Sequence, residues 1–157
     1  MTATAHAIVA GAIAAKFPDP LTSSTLAFVS HFVMDTVPHW DIGTNWRNRP
    51  KRATALFALA ETALGITVAY AIFAGKADIL PLSLAIAAAL IPDWLETPWY
   101  IFFAHQKKRK PSTDAGVWER LSFMVYRIEN IFHAKARFPE GLATQIATVI
   151  FFVILLR

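Results

Sequence analysis

Asp35, Glu61, Asp93 and Glu96 interrupt long apolar stretches, FVSHFVMDTVPHW, ALFALAETALGITVAYAIFA and LSLAIAAALIPDWLETPWYIFFA. An ionisable side chain carried to bilayer depth costs several kcal/mol, so it faces a bundle interior, a water-filled cavity or a metal and is functional by default. This constraint predicts a small membrane protein with a buried site of carboxylates and imidazoles.

The rest of the chain agrees. Of its 157 residues 55% are apolar and 17% charged, and the mean hydropathy is +0.43, all on the apolar side of an ordinary soluble domain. The length fits a single domain, residues 1–157. The absence of cysteine excludes disulfides and thiolate ligands. A net charge of +4 could suggest nucleic acid, but the basic residues cluster beside the apolar spans, lack interleaved aromatics and read as membrane topology. No specific nucleic-acid partner is expected. Signatures of P-loop, Rossmann and serine-hydrolase folds are missing as well.

The expected fold is all-α, an integral membrane helical bundle with a short N-terminal helical hairpin, three membrane-spanning helices and one interfacial amphipathic helix. Residues 53–75 and 79–104 are each long enough to cross a hydrocarbon core of about 30 Å at about 1.5 Å per residue, and the segment 139–156 is short but sufficient. Residues 3–17 and 24–38 are too short to span. Separated by Phe17-Pro18-Asp19-Pro20, they predict the hairpin, its second helix capped by Thr22, Ser23 or Ser24. In residues 117–137 Val117, Leu121, Val125, Ile128 and Phe132 recur at helical spacing against Glu119, Arg120, Arg127 and Glu129, which predicts a helix lying in the interface. The N-terminus lacks a basic region before its apolar run, so the first helix is expected to remain uncleaved.

Arg47, Arg49, Lys51 and Arg52 precede the first long span, and Lys107, Lys108, Arg109 and Lys110 follow the second. Both clusters then lie on one side, and positive charge marks it as cytoplasmic, with Trp46, Trp99 and Tyr100 as an aromatic belt. This places the chain in a prokaryotic inner membrane with its site open to the cytoplasm. The run from Lys107 to Lys110 would attract anionic head groups of membrane lipid. A homo-oligomer is compatible with these features.

The sharpest motif is His31-Phe-Val-Met-Asp35-Thr-Val-Pro-His39-Trp-Asp41. His31 and Asp35 stand one helical turn apart on one face, a spacing that lets both bind one ion. Pro38 disfavours helix at Val37 and places His39 at the helix exit, still within reach. In the second motif, Ile91-Pro92-Asp93-Trp94-Leu95-Glu96, the proline opens a membrane helix and Asp93 and Glu96 share the opened face. Glu61, His6 and His133 fall at the same level and complete the candidate ligand set of His6, His31, Asp35, His39, Glu61, Asp93 and His133. Structural readings stay open beside these: hydrogen-bonded core residues for the first motif, pairing of Asp93 and Glu96 with Arg120 or Arg127, and a buried, paired or protonated Glu61.

His31-x3-Asp35, Pro38-His39, the early His6 and the Pro92-Asp93 pair resemble the small membrane-bound, metal-dependent hydrolases of the bacterial inner membrane. More remotely, the His-x3-Asp helix resembles that of the all-α zinc-dependent phospholipase C and P1 nuclease group, whose metal clusters cleave phosphate esters. The resemblance covers about residues 1–100. It implies His31, Asp35, His39 and Asp93 as metal ligands, with His6. The chain departs from these families in lacking an aromatic N-terminal residue, a second His-x3-Glu pair and a His-Arg-x2-Thr-His string.

Nitrogen and oxygen donors without sulfur suit Zn²⁺ first, with Mn²⁺, Fe²⁺ or Mg²⁺ as alternatives. Such an ion acidifies water and clamps a phosphoryl oxygen. The expected activity is therefore hydrolysis of a phosphate ester in a membrane lipid. Glu96 or Asp93 would be the general base, Glu96 being favoured because it lies one turn nearer the interface. Two other classes compete: an ion or lipid carrier, which needs acids beside a broken helix, and a scaffold that needs no metal.

Overall fold

The computed structural model describes residues 1–41, 49–104 and 110–157. Arg47 of the first basic cluster, Lys107, Lys108 and Arg109 of the second, and Trp46 of the expected aromatic belt lie outside the described residues, while Lys110 is exposed. Every element among the described residues is helical, apart from an isolated parallel β-bridge between His39 and Lys135.

Helices α1 (Ala3–Lys16) and α2 (Pro20–Asp35) form the N-terminal hairpin. Asp19, rather than a following Thr or Ser, caps α2: its carboxylate accepts the Thr22 N–H at 2.7 Å. Pro20 fits the first helical position because it has no N–H to satisfy there. α2 stops at Asp35, three residues before Pro38. Helix α1 is apolar all round and buried along almost its whole length, the signature of a central helix. It packs on α2, α3 (Lys51–Phe73), α4 (Ile79–Pro98) and α6 (Glu140–Leu155), and so forms the axis of the bundle.

The surrounding helices turn large apolar side chains outward. Leu21, Phe28, Val29 and Val33 on α2, Leu56 and Leu59 on α3, Leu84 and Leu95 on α4, and Ile150 and Phe151 on α6 are all exposed. A contiguous apolar surface of this kind marks contact with lipid or another protein. Among the described residues two helices are long and apolar enough to cross a membrane: α3, and α4 with its π-helical continuation Trp99–Phe103. The expectation of three spans is corrected here, because α6 has 16 residues and would reach only about 24 Å.

Helix α5 (Val117–Phe132) is amphipathic as expected but ends at Phe132, five residues before the predicted limit. It docks through aromatics. Phe123 and Tyr126 pack on Trp99 with ring centroids 4.8 and 6.0 Å apart, and Phe132 meets Phe32 edge to face at 5.4 Å. Its other face leaves Val117, Trp118, Met124 and Ile131 exposed.

One close helix crossing sets the register of the core. Glu61 and Gly65 lie one turn apart on α3. A Cβ at Gly65 would stand 2.9 Å from the Thr4 backbone, so only glycine lets α1 approach this closely. Gly65→Val is therefore expected to destabilise the fold by about 1–3 kcal/mol through overpacking. Gly75→Ala, where a Cβ would meet nothing within 4 Å, should be close to neutral. Thermal unfolding of the two variants in detergent checks the contrast.

Candidate metal centre

Asp35 is the last residue of α2 and is almost completely buried. All four described histidines point at its carboxylate. His6 Nε2 lies 3.2 Å from Oδ1 and His39 Nε2 3.8 Å from the same oxygen. His31 Nε2 and His133 Nδ1 each lie 3.6 Å from Oδ2, and the amino group of Met1 also contacts Oδ1.

Each ring is brought there by a different piece of chain. His6 sits in the first turns of α1, and its ring stacks on His31 with centroids 4.1 Å apart. His31 precedes Asp35 by one turn of α2. Pro92 gives Ala88 no N–H to accept and crowds its carbonyl, and one residue along, the Ala89 carbonyl accepts His31 Nδ1–H at 2.8 Å. His39 Nδ1–H donates likewise to the Val37 carbonyl at 2.8 Å. Both bonds fix the tautomer that leaves the Nε2 lone pair facing the site. His133 arrives from the far side of the molecule. The segment after α5 runs beside residues 35–39, with Ala134 N–H donating to the Asp35 carbonyl at 2.8 Å, His39 N–H to Ala134 at 3.1 Å and Ala136 N–H to His39 at 2.8 Å. This backbone clamp sets His133 against His39, Nε2 to Nε2 at 3.0 Å.

Two groups of side chains result, each close enough to share an ion: His6, His31 and Asp93, and Asp35, His39 and His133. Two further carboxylates join them that the sequence motifs did not single out as ligands. Glu129, buried on α5, places Oε2 3.6 Å from His31 Nε2. Asp41, also buried, accepts from His133 Nε2–H at 2.7 Å and lies 3.6 Å from His39 Nε2. The signals were faint: Asp41 stands two residues after His39, and Glu129 one turn before His133.

The donor set fits a divalent metal. Zinc–nitrogen and zinc–oxygen bonds near 2.1 Å at a tetrahedral angle hold their donor atoms about 3.4 Å apart. His31 Nε2 stands 3.6–3.9 Å from oxygens of Asp35, Asp93 and Glu129, too far for hydrogen bonds and near that spacing. His31 Nε2 and His6 Nδ1 are buried without a hydrogen-bond partner, and His6 Nε2 has only the Asp35 carboxylate, 3.2 Å away. A buried imidazole left this way loses the hydration of its nitrogens with nothing in return, and an ion among these donors would restore it.

The remaining expected residues take other places. Glu61 lies on α3 with both carboxylate oxygens occupied: Oε2 accepts Ala3 N–H at 2.8 Å and Oε1 accepts Thr4 N–H at 2.9 Å. It caps the N-terminus of α1, where free N–H groups and the helix dipole favour a negative charge. Asp93 joins the first ligand group, its side chain about one-third exposed. Glu96, one turn on, hydrogen-bonds Tyr100 and lines a cavity that reaches Asp93, Asp41 and His133.

Electrostatics outside the spans follow from this packing. Burial pushes the His133 imidazole below its ordinary value, against the raising effect of Asp41. Burial alone would raise Asp41, but hydrogen bonds from His133 and His39 outweigh it and hold the carboxyl far below the usual range.

Asp35→Asn should lower bound metal and thermal stability together, because ligand binding and folding are linked. Glu61→Ala, in contrast, leaves two helix N–H groups unpaired and should cost about 2 kcal/mol or more while metal stoichiometry is kept. Elemental analysis beside thermal unfolding separates the two roles. In metal-free protein the folded-state values of His133 and Asp41 both lie below their unfolded ones. The contribution of His133 is intact above about pH 6.5 and is lost as the pH falls through its folded value, and that of Asp41 is lost below about pH 4. The melting temperature measured in a chelator should therefore fall on acidification from about pH 6.5, and His133→Asn should flatten the upper part of that curve. No protein-family profile, curated protein or solved structure matches the chain, so the geometry of this centre carries the functional reading.

Proposed function

We propose that this chain is a membrane-embedded, metal-dependent hydrolase that cleaves a phosphate ester of a lipid. One observation carries the reading: Asp35 sits among four buried or half-buried imidazoles, with Asp93, Glu129 and Asp41 around them and a cavity opening beside them. Structural polar cores pair their members by direct hydrogen bonds. Here His133 and Asp41 pair directly, but His31 Nε2 faces three carboxylates at 3.6–3.9 Å and, with His6 Nδ1, makes no hydrogen bond.

His6, His31, Asp93 and Glu129 would hold one ion, and His39, His133 and Asp41 a second, with Asp35 between them. Zn²⁺ suits this nitrogen and oxygen set best, and Mn²⁺ or Fe²⁺ would also be accepted. Bound there, such ions supply Lewis acidity toward a phosphoryl oxygen and toward water. The chain's own residues do the rest. Glu96 lines the cavity without standing in either ligand group, so its carboxylate is free to accept a proton from attacking water. Tyr100 holds Glu96 by a hydrogen bond. Asp93, within reach of His31, serves as a ligand in this arrangement and hands the role of base to Glu96.

The membrane setting rests on α3, α4 and the apolar outer faces of α2 and α6. The centre lies at the end of the bundle that carries Arg49, Lys51 and Arg52, which the positive-inside tendency assigns to the cytoplasmic side. The resemblance to small inner-membrane hydrolases points the same way. A lipid carrier would not need four convergent imidazoles, and a scaffold would need neither the imidazoles nor the acids.

Glu96→Gln should reduce phosphate release from a lipid phosphate by roughly 10²–10⁴-fold, the usual contribution of a general base, and leave metal content unchanged. His31→Ala should lose both. Phosphate release by vesicle-reconstituted protein, read beside metal analysis, checks this, and full turnover in Glu96→Gln would remove the assigned base.

A further inference from the structure

α3 and α4 barely touch along their length, because α1 lies between them on the inner side. They are joined near each end instead. At one end Lys51 Nζ donates to the Ile101 carbonyl at 2.8 Å. Near the other, the hydroxyls of Tyr70 and Ser83 bond at 2.7 Å. Just inside the Lys51 tie the helices stand apart around a cavity of about 160 Å³. Ala55, Ala58 and Thr62 form one wall, and Trp94, Thr97 and Ile101 the other. Ala58 and Trp94 are exposed, so the cavity opens sideways between two helices that are long and apolar enough to cross a membrane. Its inner end is polar: Asp93, Asp41 and His133 of the metal centre, Glu96, and Lys135.

We infer that this cleft is a lateral entrance for a long-chain phosphate monoester, whose single chain leaves between α3 and α4 while its head group lies between the metal centre and Lys135. Size, polarity and charge each contribute. A cavity of about 150 Å³ holds one benzene-sized group, so this one takes a phosphate and the first carbons of one chain, and two diverging chains would not fit the gap. The walls are alanine, threonine methyl and aromatic surface, which suit a hydrocarbon. Lys135 is the side-chain ammonium among the lining residues, whereas the amino group of Met1, which also lines the cavity, is engaged by Asp35. Without a metal, Asp93, Asp41, Glu96 and Glu61, all lining the cavity, repel an anion. With the centre loaded the balance reverses, so head-group binding is coupled to metal.

The chemistry at the inner end rests on the hydrolase reading, whereas occupation of the cleft does not. The test separates them. Protein loaded with Zn²⁺ in phosphatidylcholine vesicles is irradiated with a long-chain alkyl phosphate that carries a diazirine near its head group, and the label is mapped by mass spectrometry. Label should concentrate in residues 55–62 and 94–101. It should fall about tenfold in Ala58→Trp, which fills an exposed position and should leave the melting temperature unchanged. Lys135→Gln should weaken labelling by the phosphate about fivefold and leave labelling by the matching alkyl alcohol as it was. Label spread equally over the outer faces of α2 and α6, or indifferent to Ala58→Trp, overturns the entrance. Labelling of the cleft without phosphate release upholds the entrance and removes the hydrolase. Release of phosphate from a water-soluble aryl phosphate, with no label in the cleft, does the reverse.

Discussion

The first turn of α1 is the constraint from which the rest of the structure follows. Its free N–H groups lie inside an apolar bundle, where an unpaired donor costs about 1–3 kcal/mol. Thr2 Oγ1 takes the N–H of Ala5, Glu61 those of Ala3 and Thr4, and Gln145 Oε1 that of Thr2 at 3.1 Å. Those bonds tie α1 to α3 and α6 at one level. His6, one turn further along α1, is thereby delivered to Asp35 at the end of α2. A half-buried acid beside the ligand cluster, itself engaged with α1, thus decides where the cluster forms.

The second constraint is the placing of Asp35 itself. A helix that ended one turn later would carry His39 on the same face as His31 and Asp35. Pro38 prevents this, and the freed backbone of residues 35–39 pairs instead with residues 134–136. The pairing turns a sequence break into the route by which the segment after α5 reaches the centre. His133 comes with it, and Phe132 packing on Phe32 keeps Glu129 above His31. Helix α5 is thus both a surface element and the cover of the site.

Much of this was legible in the sequence, for reasons that differ by residue. His31 and Asp35 were readable because helical spacing alone places them together. Asp93 was readable by its depth below Trp99, and His6, His39 and His133 by a topology in which the mouth of the hairpin and the interfacial helix reach that level. Depth was also what misled. Glu61 shares that level, but it faces α1, and no property of α3 alone says which helix covers which face. The span expected at 139–156 failed on length, since Pro139 starts α6 too late and Leu155 ends it too soon to cross a full hydrocarbon core. Asp41 and Glu129 escaped because their roles depend on contacts between residues about ninety positions apart, which no local pattern records.

The arrangement also explains why so short a chain can carry so many buried ionisable groups. Each carboxylate near the centre is compensated from a different direction: Asp35 by imidazoles of three separate segments and its own helix, Asp41 by His133 and His39, Glu61 by the amide N–H groups of α1. Compensation spread in this way makes the site a cross-link among α1, α2, α4, α5 and the two connecting segments. Stability and ligand geometry then rise and fall together. A metal that satisfies the remaining lone pairs of His6 and His31 would tighten the same cross-link. In the proposed reading, function and fold would draw on one set of side chains, and the apolar shell around them would need little specificity beyond leaving a gap between α3 and α4.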